Sequence, residues 1–167
     1  IRSEGFSGFV AVDRAGRPVR FYRTVGAPFG FTIRKNGNFV FLDTGQGLIE
    51  TTASGRVVRM LAQEPAPGRR IHHDLTSSDR NTVMFIAEDW QAGRGTMLKG
   101  EAIWEWDPER GTVSKRWSAF DHLNPDLDWG PRSLDSDWLH ANSIGIGPRR
   151  NITLSLHFLD QVVSITP

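Results

Sequence analysis

The feature that most constrains this chain is an internal repeat. A strand, a turn closed by glycine and a second strand recur three times. The copies read Val12-Asp13-Arg14-Ala15-Gly16-Arg17-Pro18-Val19, Glu50-Thr51-Thr52-Ala53-Ser54-Gly55-Arg56-Val57-Val58 and Trp106-Asp107-Pro108-Glu109-Arg110-Gly111-Thr112-Val113. A further copy begins at Val163-Ser164-Ile165-Thr166-Pro167. A second unit, strand, polar turn and apolar strand, covers 29–42, 71–86 and 140–156, with its turn read as closing at Asn38, Asn81 and Asn151. The glycine anchors Gly16, Gly55 and Gly111 lie 39 and 56 residues apart, and an insert around 89–100 accounts for the longer gap.

Apolar clusters of about 4–6 residues, punctuated by Gly, Asp, Asn and Pro, predict short strands and turns. They fall at 9–13, 18–22, 29–33, 38–42, 47–51, 56–62, 71–75, 82–87, 102–106, 112–117, 140–144, 152–156 and 161–165. No clean helical period interrupts them. The stretch 120–136, rich in Asp, Pro and Trp, reads as a long loop with room for one helical turn. Four short antiparallel strands per unit of about 40–50 residues define an all-β protein of the β-propeller type. A β-sandwich with coincidental hairpins is the alternative, and three matching copies disfavour it.

Residues 1–167 thus read as one partial propeller domain: a blade end at 1–28, blades at 29–62 and 71–118, a loop at 119–137 and a partial blade at 138–167. Propellers close with about 4–8 blades. Roughly three blades leave open edges. The chain therefore reads as a piece of a longer propeller, or as one whose edges another chain covers. Its start at Ile1, without methionine or a signal-peptide pattern, also reads as a processed product or a piece.

Composition removes several function classes. Twenty Lys and Arg against nineteen Asp and Glu give a net charge of +1, without the basic excess of a nucleic-acid surface. No apolar run approaches the roughly 20 residues that span a bilayer as a helix. With no cysteine, there is no disulfide framework, thiolate metal site or cysteine nucleophile.

In a propeller the first strand of each blade lines the central channel, so residues far apart in sequence converge there. Aligning the first strands on Ile33, Leu75 and Ile144 places Phe31, His73 and Asn142 two residues back, and Phe29, Ile71 and His140 four back. Simple alternation then points His73, His140 and Asn142 at the channel and splits His72 and His73 between opposite faces. His157, on the next strand, is placed to reach the same pocket from the side. Polar groups at a level where the second blade is apolar mark a candidate site. No carboxylate–histidine spacing supports a metal centre, and no metal or cofactor is expected. His122, in the loop, reads as solvated, and most of the tryptophans read as packing.

The run Asp137-Trp138-Leu139-His140-Ala141-Asn142-Ser143 is the most specific motif. With the strands that follow it, with His72-His73-Asp74 one blade earlier and with the turn within 105–117, it resembles the arylsulfotransferase family of bacterial six-bladed propellers over nearly the whole chain. The resemblance implies transfer of a sulfuryl group from an aryl sulfate to a phenolic acceptor, in ping-pong fashion through a sulfated histidine, without the nucleotide sulfate donor. That histidine belongs to a later blade, outside this chain, so the residues present do not make a full catalytic set. The resemblance carries His140 and Asn142 over as catalytic residues, together with one of His72 and His73; the register argument favours His73 as catalytic and leaves His72, with His157, as substrate-binding. It also implies a periplasmic or secreted location. The family pattern Ser-x-Arg is replaced by Ser155-Leu156-His157, and histidine is neither permanently charged nor a planar fork, so the oxyanion clamp is weaker here. A non-catalytic ligand-binding propeller of the same fold is the alternative reading. A quinoprotein propeller is a third, suggested by the run 106–111 followed by Trp117, but the spacing is wrong for it.

Overall fold

The computed structural model describes residues 2–166 apart from 4 and 135. Pro167, in the last repeat, lies outside the described residues.

Among the described residues, fourteen strands form four antiparallel sheets in chain order. The first sheet holds β1 (Arg2–Ser3), β2 (Phe6–Val12) and β3 (Pro18–Arg23). The second is β4 (Pro28–Ile33), β5 (Phe39–Asp43), β6 (Gly47–Thr51) and β7 (Val57–Ala62). The third is β8 (Ile71–Ser77), β9 (Val83–Gly93), β10 (Thr96–Asp107) and β11 (Thr112–Ser118). The fourth holds β12 (Ala141–Ile146), β13 (Ile152–Leu156) and β14 (Gln161–Ile165). Each sheet is a simple meander, so sequence neighbours are hydrogen-bonded neighbours.

The glycine turns sit where the repeat puts them. Gly16, Gly55 and Gly111 carry φ of 78°, 87° and 66°, the left-handed conformation a tight hairpin turn requires. The insert is an extension of the β9–β10 hairpin, paired from Ala87 and Ala102 out to Gly93 and Thr96. It closes through Arg94 and Gly95, both at positive φ, as a two-residue hairpin turn does. The loop after β11 contains one short 3-10 turn, Ala119–Asp121.

Two register expectations are corrected. The amide of Ser78 bonds the carbonyl of Thr82, and Asn81 has φ 64°, so Thr82 closes that turn and Asn81 is its left-handed residue. Asn38 and Asn151 do close theirs, on Arg34 and Gly147. Counted from those turns, Phe31 pairs with Phe41, Leu75 with Phe85 and Ile144 with Leu154. Phe31, not Ile33, is therefore the equivalent of Leu75 and Ile144.

The core lies between sheets, in three layers. Tyr22, Phe41 and Ile49 join the first sheet to the second. Val40, Leu42 and Leu48 meet Ile71, Leu75, Phe85 and Trp106 between the second and third. Ile86, Ile103, Trp138, Ile144, Leu154 and Leu156 fill the space between the third and fourth. A sheet packed on both faces loses polar alternation, and every residue of β6 is buried. Each buried Leu, Ile or Phe contributes about 1.5–3 kcal/mol relative to exposure. The expected packing role of tryptophan holds for Trp138, which is fully buried, bonds the carbonyl of Asp128 and meets the ring of Phe120.

Stacking the sheets sets their first strands side by side, with β8 between β4 and β12. This arrangement builds the site.

Candidate functional site

Each first strand is irregular near its start. Between Phe29 and Phe31, β4 carries one extra residue, Gly30, with φ 46°. β8 takes four steps from Ile71 to Leu75 while β9 takes two from Ala87 to Phe85, and His73 within this bulge has φ 55°. β12 carries an extra residue at Asn142, and His140, just before it, has φ 50°. Gly30 accepts the left-handed region freely. A histidine there costs of order 1–3 kcal/mol, strain that persists where the surroundings over-determine it and that clusters at functional sites. Gly30 also permits close approach: a Cβ on it would lie 2.5 Å from Leu75 Cδ2 and 3.1 Å from the carbonyl oxygen of His73.

The bulges overturn the alternation argument for this segment. His72 and His73 do not face opposite ways; their Nδ1 atoms are 2.9 Å apart and their rings meet edge to face. The rings of His73 and His140 come together from two sheets at 5.0 Å between centroids, as the sequence led one to expect, though by bulging rather than by regular pleating. Asn142 lies at the β12 bulge and is exposed. His157 is not on β13 but in the 3-10 turn His157–Leu159 that follows, exposed, with its ring 6.0 Å from that of His140. His122 is exposed and stacked parallel on Trp117.

Two aromatic rings complete the walls. Phe158 stacks on His140 at 4.7 Å, and Phe29 lies 5.5 Å from His73.

His140 and His72 are each held by a carboxylate. Asp137 Oδ2 lies 2.9 Å from His140 Nδ1 and 2.5 Å from Lys99 Nζ, while its buried Oδ1 has no partner among the described residues. Glu101, fully buried, puts Oε2 at 2.8 Å from His72 Nε2 and accepts the Ala141 amide on Oε1 at 3.1 Å. Asp74 fastens β8 to β12, since its Oδ2 accepts the amide of Ile144 at 3.0 Å and the Ser143 hydroxyl at 3.3 Å.

The electrostatics follow from this crowding. Burial, and then the neighbouring His72, His140 and Lys99, push the His73 pKa down to about 4; Asp137 opposes them. His73 is therefore a neutral imidazole at neutral pH.

Glu101 and Lys99 were not foreseen from sequence. Both lie on the part of β10 where the hairpin insert joins the repeat, so no other sheet offers an equivalent position. Asp137 was in view within the motif, and its place three residues before His140 was the available signal. A cleft of about 450 Å³ lies elsewhere, lined by Arg34, Arg80, Arg110 and Arg116 among carboxylates, away from the histidines.

A succession of three- and four-stranded meanders, with polar groups converging near the starts of their first strands, defines a propeller-type protein with a histidine-rich candidate site. Similar solved structures support the fold. A streptogramin B lyase matches with TM-score 0.56 and 15% identity over 88% of this chain and 40% of its own. A gluconolactonase from Xanthomonas campestris matches with TM-score 0.51 and 11% identity over 96% of this chain and 69% of its own. The chain thus spans well under half the length of the lyase, and identities this low speak to fold alone. No curated protein matches the chain in sequence. The model of the arylsulfotransferase (ASST) family matches residues 2–167, and the chain belongs to that family.

Proposed function

We propose that these residues form part of a sulfuryl-transfer site that moves the group from an aryl sulfate to a phenolic acceptor through a sulfated histidine outside this chain. The observation that carries the reading is the meeting of His73 and His140. Their rings approach to 5.0 Å from two different sheets, and each is anchored through one nitrogen.

The chemistry asks for two things. The transferring group spreads negative charge over its non-bridging oxygens, which fixed donors stabilise without reorganising. The departing phenol oxygen must gain a proton, and the accepting phenol must lose one. His140 suits the first task. Asp137 accepts from its Nδ1–H, so a protonated ring directs Nε2–H outward as a charge-assisted donor, by the logic through which a carboxylate orients a catalytic histidine. Asn142, two residues on, adds a carboxamide donor. His73, a neutral imidazole, suits proton exchange with the phenol oxygen. Phe29 and Phe158 flank the imidazoles with apolar surface fit for an aryl ring. His157 stands where the family carries arginine and supplies a weaker contact to the sulfuryl group.

The transfer keeps its atoms balanced. The S–O bond to the first phenol breaks as the N–S bond to the nucleophilic histidine forms, and the phenol leaves with a proton. The N–S bond then breaks as a second phenol's oxygen forms a new S–O bond and gives up its proton, and the histidine nitrogen is freed.

In the full protein, 4-nitrophenyl sulfate should release 4-nitrophenol, and added phenol should raise the rate. Absence of turnover with several aryl sulfates contradicts the proposal. The exposed His157 in place of arginine favours one other reading, a propeller that binds aryl sulfates without turning them over. Saturable binding of phenyl sulfate by a protein that never releases phenol would establish it.

A further inference from the structure

The buried Glu101 and the half-buried His72 have no part in the scheme above, yet Glu101 connects through His72 to His73. We infer that Glu101, His72 and His73 form a proton path that lets the Nε2 atom of His73 exchange a proton with the substrate phenol while no imidazolium forms in the path. The inference rests on the proposed sulfuryl transfer and adds two residues to it.

The connectivity follows from donor and acceptor inventory. Glu101 is fully buried, and both its oxygens are engaged, Oε1 by the Ala141 amide and Oε2 by His72 Nε2. As a carboxylate it only accepts, so His72 carries its proton on Nε2. A neutral His72 then has a bare Nδ1, and the 2.9 Å contact requires His73 to donate from its own Nδ1. The result is a single alignment: Glu101 carboxylate, His72 Nε2–H, His73 Nδ1–H, and a lone pair on His73 Nε2.

That alignment has one complement. When His73 Nε2 takes a proton from a phenol, its Nδ1 proton passes to His72 Nδ1, and the His72 Nε2 proton passes to Glu101. The phenol has lost one proton, Glu101 has gained one, both imidazoles are neutral again, and no other group has changed. The reverse sequence starts from the form in which Glu101 holds the proton taken from the previous acceptor phenol, and it delivers that proton to the next leaving phenolate. The path resolves an apparent conflict at His73. Burial and the neighbouring His72, His140 and Lys99 oppose an imidazolium there, which would make an isolated His73 a poor proton carrier. With the path, the charge that changes is the buried carboxylate's, and neutralising a buried carboxylate is favourable for solvation. His72 and Glu101 act through His73 and are positioning residues; His73 alone meets the substrate.

Glu101→Gln isolates the path. The amide oxygen must take the Ala141 N–H, which leaves the amide nitrogen as a donor against His72 Nε2. His72 must then accept there and donate from Nδ1, which strips His73 Nδ1 and moves its proton to Nε2. Nitrogen-15 NMR of the histidines in the full protein reads this directly. The wild type should show His73 protonated on Nδ1 and bare at Nε2, and the variant should show the reverse. In turnover, the variant should lose about 10²–10⁴-fold with phenyl sulfate, whose leaving group needs the proton. It should lose about tenfold or less with 4-nitrophenyl sulfate, whose leaving group is stable as the anion. Equal losses with both substrates, or a wild-type His73 already protonated on Nε2, would overturn the path. The wild-type spectrum alone decides the alignment if the variant does not fold. A wild type with the expected tautomers but no turnover would instead overturn the sulfuryl-transfer reading.

Discussion

The first strands carry two charged clusters, one at each end, and the clusters follow opposite rules. At the turn end, Arg34 is 2% exposed and Glu50 fully buried, with Nη1 and Oε1 at 2.5 Å. The Arg34 guanidinium also bonds the Asn81 carbonyl, while Asn38, Asn36 and Arg59 add donors to Glu50. Burial pushes the Glu50 pKa up, but hydrogen bonds from Asn38 and Arg34 outweigh it and hold the carboxyl below its ordinary value. Backbone there has a bulge between Glu50 and Thr51 and a left-handed residue in Asn81. At the starting end, the strands bulge, two histidines sit at positive φ, and His73 is held neutral. One cluster is permanently charged, multiply paired and joins the second sheet to the third. The other is built from imidazoles, with His73 held neutral by burial and its neighbours. The same strands thus carry a framework cluster at one end and the candidate site at the other.

The sharpest way to break this contrast is to truncate one member of each cluster. His140→Ala should lower aryl sulfate turnover by about 10²–10⁴-fold, as removal of a positioned catalytic group does, and should leave the denaturation midpoint nearly unchanged because the ring is partly exposed. Arg34→Ala should do the reverse. It leaves Glu50 buried and short of its main partner, at a cost of about 3–5 kcal/mol in chemical denaturation. If Arg34→Ala cost under about 1 kcal/mol, the turn end would not be the framework.

Acid sharpens the contrast further. A histidine whose folded pKa lies near 4 against about 6.5 unfolded prefers to be protonated in the unfolded state. Its contribution to stability is complete above pH 6.5 and is lost as pH falls towards 4. Glu50, depressed in the folded state, loses its contribution only below the ordinary carboxylate range. Stability should therefore decline in two windows. His73→Asn, which tolerates the left-handed backbone, should flatten the upper window, with the neighbouring His72 and His140 present in both proteins, and leave the lower one. An unchanged upper window would show that His73 does not carry it. The smallest effect belongs to neither cluster. Arg132 and Asp160 are an exposed pair at 3.2 Å, and Arg132→Ala should shift stability by at most about 0.5 kcal/mol.

The division between what sequence could and could not show is physical. The repeat was legible because it is local: a glycine at positive φ between two apolar runs writes itself into consecutive residues, as at Gly16, Gly55 and Gly111. All thirteen expected strands lie within or overlap observed ones for the same reason. The site was half legible. The motif containing His140 and the His72-His73-Asp74 triplet pointed to residues that do meet. Their facing was misread because alternation holds only for regular pleating, and β8 bulges between Ile71 and Leu75. Asn81 was read one position off because a left-handed asparagine does the work glycine does at Gly37 in the preceding sheet. Glu101 and Lys99 were hidden because contacts between the hairpin extension and the segment at 136–138 have no trace in sequence spacing.

The central claim is that His73 and His140 act as one unit although two sheets supply them. A double-mutant cycle on kcat/KM for transfer from an aryl sulfate to phenol, in the full protein, measures this directly. The account expects His73→Asn and His140→Ala to be strongly non-additive, the double variant being about as slow as the slower single one. If the two losses multiply, the imidazoles work independently and the shared site is wrong.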